Sequence, residues 1–227
     1  MILVIAEPGD QGAASLVAEL APRPAAAVSV VDFAAAPSCL HHPDFEASTV
    51  TVAGRSLPVR EIRAVINALP AVLPGSLSVY EIEEREYQAA ELQAWLSYFL
   101  SALTCPVTNR PSALSLGGPV RGALGWLHLA RAAGIPIAPL AISSDDPGGA
   151  PARMAPGRVD VIWAPAVEER TLAEEYTGAL ARGSGVAFLE AWYAEDGSGN
   201  VRFAGARSLP NLASEATRRA LLAALNA

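Results

Sequence analysis

A handful of stretches hold side chains whose types and spacing could do chemistry. Gly9-Asp10-Gln11-Gly12 stands between an apolar run and a helix-like stretch, where main-chain N–H groups could meet a phosphate. It lacks the three glycines of the dinucleotide fingerprint and the Gly-Lys-Ser/Thr of a P-loop, so a plain strand–helix turn is the simpler reading. Cys39, His41, His42 and Asp44 share one loop, and thiolate, imidazole and carboxylate can all ligate a metal. Adjacent histidines on an extended chain point to opposite sides, and the sequence holds no second ligand cluster, so a polar surface loop is expected there. His128, the third histidine, lies in a helical stretch, and no Ser-His-Asp or Cys-His arrangement supports hydrolysis. Lysine is absent: all 16 basic residues are arginine. That excludes any mechanism that needs a lysine and leaves anion recognition to guanidinium groups.

The elements that must position these groups follow from composition and periodicity. The chain has 227 residues, 52% of them hydrophobic, enough for one large domain or two small ones with a proper core. Net charge is −7 with no basic run, which argues against nucleic acid as a partner. The longest apolar runs are strand-sized, so no membrane span is expected. MILVIAEPGD has neither the basic start nor the cleavage site of a signal peptide, and two cysteines make no disulfide framework. The cytoplasm is the expected compartment. Cys105 reads as a core residue.

Ile2–Ala6 predicts a buried strand, Gln11–Leu20 a helix and Val28–Val31 a second strand, a β-α-β opening to a parallel sheet. Residues 34–48 read as an irregular loop, Thr49–Val59 as a hairpin around Gly54-Arg55, and Ile62–Leu69 as a further strand. Glu81–Leu103 is the longest helix, with Ala90, Leu92, Trp95, Leu96, Phe99, Leu100 and Leu103 on its apolar face and acidic residues at its start. A short strand at 106–108 leads to the turn Asn109-Arg110-Pro111-Ser112-Ala113. A second helix follows, burying Trp126, Leu127, Leu129, Ala130 and Ala133, and Gly134 suits its left-handed C-terminal cap. An apolar strand then runs to Ile142, and residues 143–158 are a loop or linker. Beyond lie a strand (159–164), a helix (171–181) closed by Arg182-Gly183, a hairpin (185–194 with 200–206) and a final helix from an N-cap at Ser214.

The order of these parts resembles the ATP-grasp ligases of the glutathione-synthetase type, especially peptide-modifying members such as the microviridin ligases. That family places a helical Glu before an Asn-Pro-Pro-like turn, then a helix of pattern K-x-x-Q-L-x-x-A-x-x-x-G followed by V/I-P. Glu91, Asn109, Pro111, Leu127, Ala130, Gly134 and Ile135 fit that order, while the Lys position falls on Ala123. Peptide-modifying relatives often carry arginines near R-x-P at the end of the third strand; here that end is Asn67-Ala68-Leu69-Pro70. The resemblance implies an N-terminal Rossmann-like pre-ATP-grasp domain over residues 1–113, α/β with a parallel sheet. Residues 114–227 are then a reduced α+β remnant of the ATP-grasp domain. It covers 1–142 well and 185–227 weakly, and the middle looks deleted, with too few residues for the two sub-domains that enclose ATP.

The family holds Mg²⁺ on acidic and amide side chains of two late strands, ending E-x-N-x-x-P. Pro210 aligns there, which puts Gly205 at the Glu position and Arg207 at the Asn position, with Glu190 as the earlier acidic ligand. One carboxylate cannot carry a two-metal site, and Arg207 would repel a cation beside it. The resemblance therefore implies a truncated, non-catalytic protein without ATP or Mg, binding a partner chain or a peptide or amino acid in a peptide-modification pathway. Asn109, Arg110, Arg121, Glu190 and Arg207 are its expected substrate- or partner-binding residues, the arginines suiting a carboxylate. Two alternatives stand beside it: an ATP-dependent carboxylate–amine ligase using arginines in place of lysines, with ATP and Mg as cofactors, and a structural subunit of a homodimer or heteromeric complex.

Overall fold

Four consecutive apolar residues, Ile-Leu-Val-Ile, build β1 (Ile2–Ile5), and all four are buried. A strand apolar on both faces belongs at the centre of a parallel sheet. A computed structural model of the chain, describing residues 1–35, 44–52, 54–138, 159–163, 172–195 and 200–226, puts it there. β1 pairs in parallel with β2 (Ala25–Val28) on one side and β5 (Ala64–Asn67) on the other. Val107 extends the sheet through a parallel bridge to Val65, so the first half holds the expected parallel sheet, with β1 lying between β2 and β5. Cys39, His41, His42, the end of the strand expected to reach Ile142, the linker at 143–158 and the turn at 196–199 lie outside the described residues.

The chain divides into two compact units by internal contacts: Met1–Gly118 with Asn211–Ser214, and Pro119–Pro210 with Glu215–Ala227. In the first, α1 (Gln11–Glu19) starts at Asp10, whose carboxylate accepts from the Ala13 N–H at 2.9 Å. This is an ordinary N-cap, as the turn reading of Gly9–Gly12 expects. Gly12 faces the main chain of Leu212 and Ala213. A Cβ there would sit 2.7 Å from the Ala213 nitrogen and closer still to the Leu212 carbonyl.

The strand expected at Val28–Val31 is corrected. Strand β2 ends at Val28, and α2 (Val30–Ala35) begins at once. The physical reason is Ser29, whose N–H and hydroxyl both donate to Asp32, at 2.7 and 2.8 Å. That carboxylate three residues on holds the first turn against the strand preference of Val30 and Val31. The loop expected from residue 34 is also interrupted by a 3-10 turn at Phe45–Ala47. Strands β3 (Thr49–Val52) and β4 (Arg55–Pro58) form the expected antiparallel hairpin, with Gly54 at φ 73°.

Helix α3 (Arg85–Ala102) starts after a 3-10 turn at Ile82–Glu84 and packs Leu96, Phe99 and Leu100 into the core beside Leu3, Phe33 and Val65. Ala89, not Ala90, is its buried alanine.

In the second unit, α4 (Ala123–Ala132) buries Trp126 and Ala130, while Ala133 is exposed. Gly134, at φ 72°, closes it: Ile135 N–H donates to Ala130 and Gly134 N–H to Arg131. This is the paired bonding of a left-handed glycine cap, read from sequence at this position. Helix α5 (Leu172–Ser184) ends in the same way on Gly185, not on Gly183. Strands β6 (Val159–Trp163), β7 (Phe188–Glu195) and β8 (Val201–Arg207) form an antiparallel sheet, and Ile137 adds a parallel bridge to Phe203. One face of β7 and β8 sends Leu189, Ala191, Tyr193, Phe203 and Ala206 into a core with Trp126, Ala130 and Leu180. The final helix, α6 (Glu215–Ala224), follows. Among the described residues no helix is long and apolar enough to cross a membrane.

Candidate functional site

The residues singled out at the C-terminal strands come together through the register of β7 and β8. Glu190 stands opposite Arg207 and Trp192 opposite Gly205, so all four share one face of the ladder. Glu190 is 2% exposed, and its carboxylate is fully engaged. Arg207 grips it with two donors: Nε to Oε2 at 3.0 Å, and Nη2 to Oε1. Thr217, on α6, donates its hydroxyl to Oε2 at 3.1 Å. The Arg207 side chain is 39% exposed, and its guanidinium carbon lies 5.6 Å from the centre of the Trp192 ring. The same indole roofs Gly205: a Cβ there would begin 2.7 Å from its Nε1. Thr217 and Trp192 are the members sequence reasoning missed. The pairing register of two strands, which sequence alone does not fix, is what brings them in.

A divalent cation such as Mg²⁺ needs oxygen ligands in a near-octahedral set and usually more than one carboxylate. Among the described residues one carboxylate is available here, both its oxygens are taken by donors, and a guanidinium occupies the approach. Gly205 offers no ligand, and the indole above it leaves no room for a longer side chain. The residues present do not fit a bound Mg²⁺.

Asn109 is buried, at 3% exposure, inside its own unit. A Cβ on Gly118, which sits at φ 89°, would lie 2.8 Å from the Asn109 Cβ, so the turn closes tightly on itself. Arg110 is anchored on main-chain carbonyls. Its Nη1 donates to the carbonyls of Leu100 (3.0 Å) and Ser101 (3.1 Å), and its Nη2 to that of Cys105 (3.3 Å). A cation there satisfies the free carbonyls at the end of α3 and meets the negative end of the helix dipole. Burial pushes the neighbouring Cys105 thiol up, against the pull of Arg110; this cysteine is half-buried at the core's edge, not within it. Arg121, two residues before α4, is exposed and makes no hydrogen bond or ion pair among the described residues. Ala123, which the sequence resemblance sets at the Lys position, is the exposed first residue of α4. Glu91 is exposed on α3 and lines a cleft with Phe33, Tyr80 and Trp95.

Sequence reasoning also missed Asn67, at the end of β5. Its amide donates to the carbonyls of Leu69 (3.2 Å) and Leu116 (2.9 Å) and accepts from Leu69 N–H (3.1 Å). Its main chain exchanges bonds with the Thr108 hydroxyl, at 3.0 and 3.3 Å. These bonds tie the ends of two parallel strands to the loop before Gly118.

No protein-family model and no curated protein matches this sequence. Solved structures do match the fold. The chain aligns with the macrocyclase MdnC of Microcystis aeruginosa MRC, bound with precursor peptide MdnA, at a TM-score of 0.68 and 11% identity, over 100% of this chain and 99% of that one. With the ATP-grasp ligase PsnB complexed with minimal precursor the TM-score is 0.63 at 13% identity, over 100% and 99% of the two chains. A RiPP-associated ATP-grasp ligase of Chryseobacterium gregarium, in complex with ADP and a leader and core peptide, gives 0.63 at 11% identity, over 100% and 97%. The chain therefore has the fold of the ATP-grasp ligases, a mixed α/β architecture with a parallel sheet, as the sequence resemblance implied.

Proposed function

We propose that this chain is a shortened, non-catalytic ATP-grasp-like protein that holds a peptide or a partner chain in a peptide-modification pathway. The single observation that carries this reading is the Glu190 carboxylate, engaged by Arg207 and Thr217; the sequence resemblance assigns this position to a metal ligand. The absence of lysine, with Ala123 at the family's Lys position, agrees with it. So do the neighbours: MdnC, PsnB and the Chryseobacterium ligase are all described with precursor, leader or core peptide bound. We place the shortening between Gly134 and Gly185, where the sequence has too few residues for two further sub-domains. A homodimer or a heteromeric complex would each satisfy the partner side of this reading.

Calorimetry with millimolar MgATP tests it. Each missing charge-assisted bond to phosphate is worth about 1.5–3 kcal/mol, so two lost contacts weaken binding by roughly a hundredfold or more. The expected result is no measurable binding below millimolar. A low-micromolar Kd with precursor-dependent release of ADP overturns the proposal. That outcome would favour the second reading, a carboxylate–amine ligase in which arginine replaces lysine, for which the exposed Arg121 ahead of α4 is the specific support.

A further inference from the structure

Helix α3 has a second lined stripe beside its buried face, and the two share an edge at Leu92 and Trp95. Gln88, Glu91, Leu92 and Trp95 recur at i, i+3, i+4 and i+7, so they form one stripe. Together with Phe33, Ala34 and Tyr80 they line an open cleft of about 290 Å³ within the first unit. Its aromatic walls are held in place. Trp95 stacks on Phe99 with ring centres 5.2 Å apart and leans on Phe33 at 5.3 Å, and the Tyr80 hydroxyl donates to the Ala34 carbonyl at 3.3 Å. Among the described residues neither Glu91 nor Gln88 makes a hydrogen bond or ion pair, although Gln88 is half-buried.

The segment that leads into α3 is acidic: Glu81, Glu83, Glu84 and Glu86 are all exposed, and so are the apolar side chains of Val79 (53%), Ile82 (73%) and Tyr87 (66%). The one base in that stretch, Arg85, directs its Nε to the Tyr80 carbonyl at 3.0 Å.

We propose that this cleft receives an arginine or lysine side chain of a partner peptide, its stem against Phe33, Leu92 and Trp95 and its cation on Glu91. This deepens the peptide-holding reading above and rests on it only for the identity of the partner as a peptide. Aromatic faces and a carboxylate together select a cation on an apolar stem. The Glu91 carboxylate, with the acidic segment that precedes the helix, disfavours phosphate and carboxylate ligands. The volume lies at the bottom of the ~300–1,000 Å³ range of small-molecule pockets, which suits one side chain and not a nucleotide. A second copy of this chain is disfavoured because its net charge of −7 meets an acidic surface poorly.

The test uses the full chain, labelled with ¹⁵N, titrated with acetyl-Leu-Arg-Phe-Leu-amide and with the same peptide carrying Asp for Arg. The Arg peptide is expected to shift the Trp95 indole N–H saturably, with the Trp126 and Trp192 indoles unmoved, and the Asp peptide to leave Trp95 in place. Glu91→Gln, an exposed change that leaves the unfolding midpoint intact, is expected to weaken the Arg peptide by about three- to tenfold. Equal shifts from both peptides, an unchanged affinity in Glu91→Gln, or a motionless Trp95 at millimolar peptide would each overturn the proposal. So would a concentration-dependent dimer that Glu91→Gln dissociates. MgATP turnover with the Arg peptide still bound at Trp95 would refute the non-catalytic reading alone. Absence of both turnover and Arg-peptide binding would refute this cleft alone.

Discussion

Among the polar side chains that each unit buries, Asn67 and Glu190 both stand on inner strands, and the two are held in opposite ways. Asn67 in the first unit is neutral, and its amide is answered entirely by main-chain groups of Leu69 and Leu116. Glu190 in the second is answered by two side chains, Arg207 and Thr217, one of them open to water. A main-chain partner cannot be exchanged by substitution, whereas a side-chain partner can. Asn67 is therefore a fixture of the fold, and Glu190 is a site whose electrostatic state depends on what stands beside it.

Asn67→Ala is expected to have the largest effect. It strands a buried N–H and two buried carbonyls and leaves a small void, at about 3 kcal/mol or more in urea unfolding. Asn67→Asp should give no rescue, because two of its three bonds need a donor. An effect under about 1 kcal/mol would mean that the loop repacks and that the contrast with Glu190 is false.

Arg207→Ala comes next. Removing one partner of a buried ion pair costs ~3–5 kcal/mol; with the arginine partly exposed, water offsets some of this and about 2–3 kcal/mol is expected. The sharper experiment is the double change Arg207→Leu with Glu190→Leu. It should recover most of that loss, since an apolar pair of similar volume often replaces a buried ion pair without cost. No double change of this kind can rescue Asn67. Failure of the recovery would make Glu190 as fixed as Asn67.

Arg110→Ala is the smallest of the three. It releases three carbonyls near the end of α3 that water can partly satisfy, for about 1 kcal/mol. It should not change peptide binding by more than twofold, measured alongside Arg121→Ala. A large binding loss with unchanged stability would return Arg110 to the role the sequence resemblance implied for it.

The parts of this molecule legible in the sequence are those that local chemistry fixes. Asp10 caps α1, Gly134 takes a positive φ at the end of α4, and the apolar runs at 2–5 and 64–67 become neighbouring parallel strands. Val30 to Ala35 was misread because its β-branched pair outweighs, on propensity, the Ser29–Asp32 spacing that signals a helix start. The candidate site was legible as a set of positions, Glu190, Gly205 and Arg207, but not as an arrangement. That Arg207 closes on Glu190 and Trp192 on Gly205 depends on strand register and on α6 bringing in Thr217. Arg110 shows the converse: its place in a motif suggested a ligand contact, and only the fold reveals the helix end it serves.

The contact between Gly12 and the segment at Leu212 has a consequence for how the molecule can be made. The first unit consists of Met1–Gly118 and, far along the chain, Asn211–Ser214, where Leu212 is 2% exposed. During synthesis the bare flank of α1 at Gly12 must wait for a patch that leaves the ribosome only after β8 has been made. A fragment cut at Gly118 would never receive it. Any attempt to divide this protein for separate expression has to carry the Leu212 segment across the cut, because what forms two units by contact is assembled as a single unit of translation.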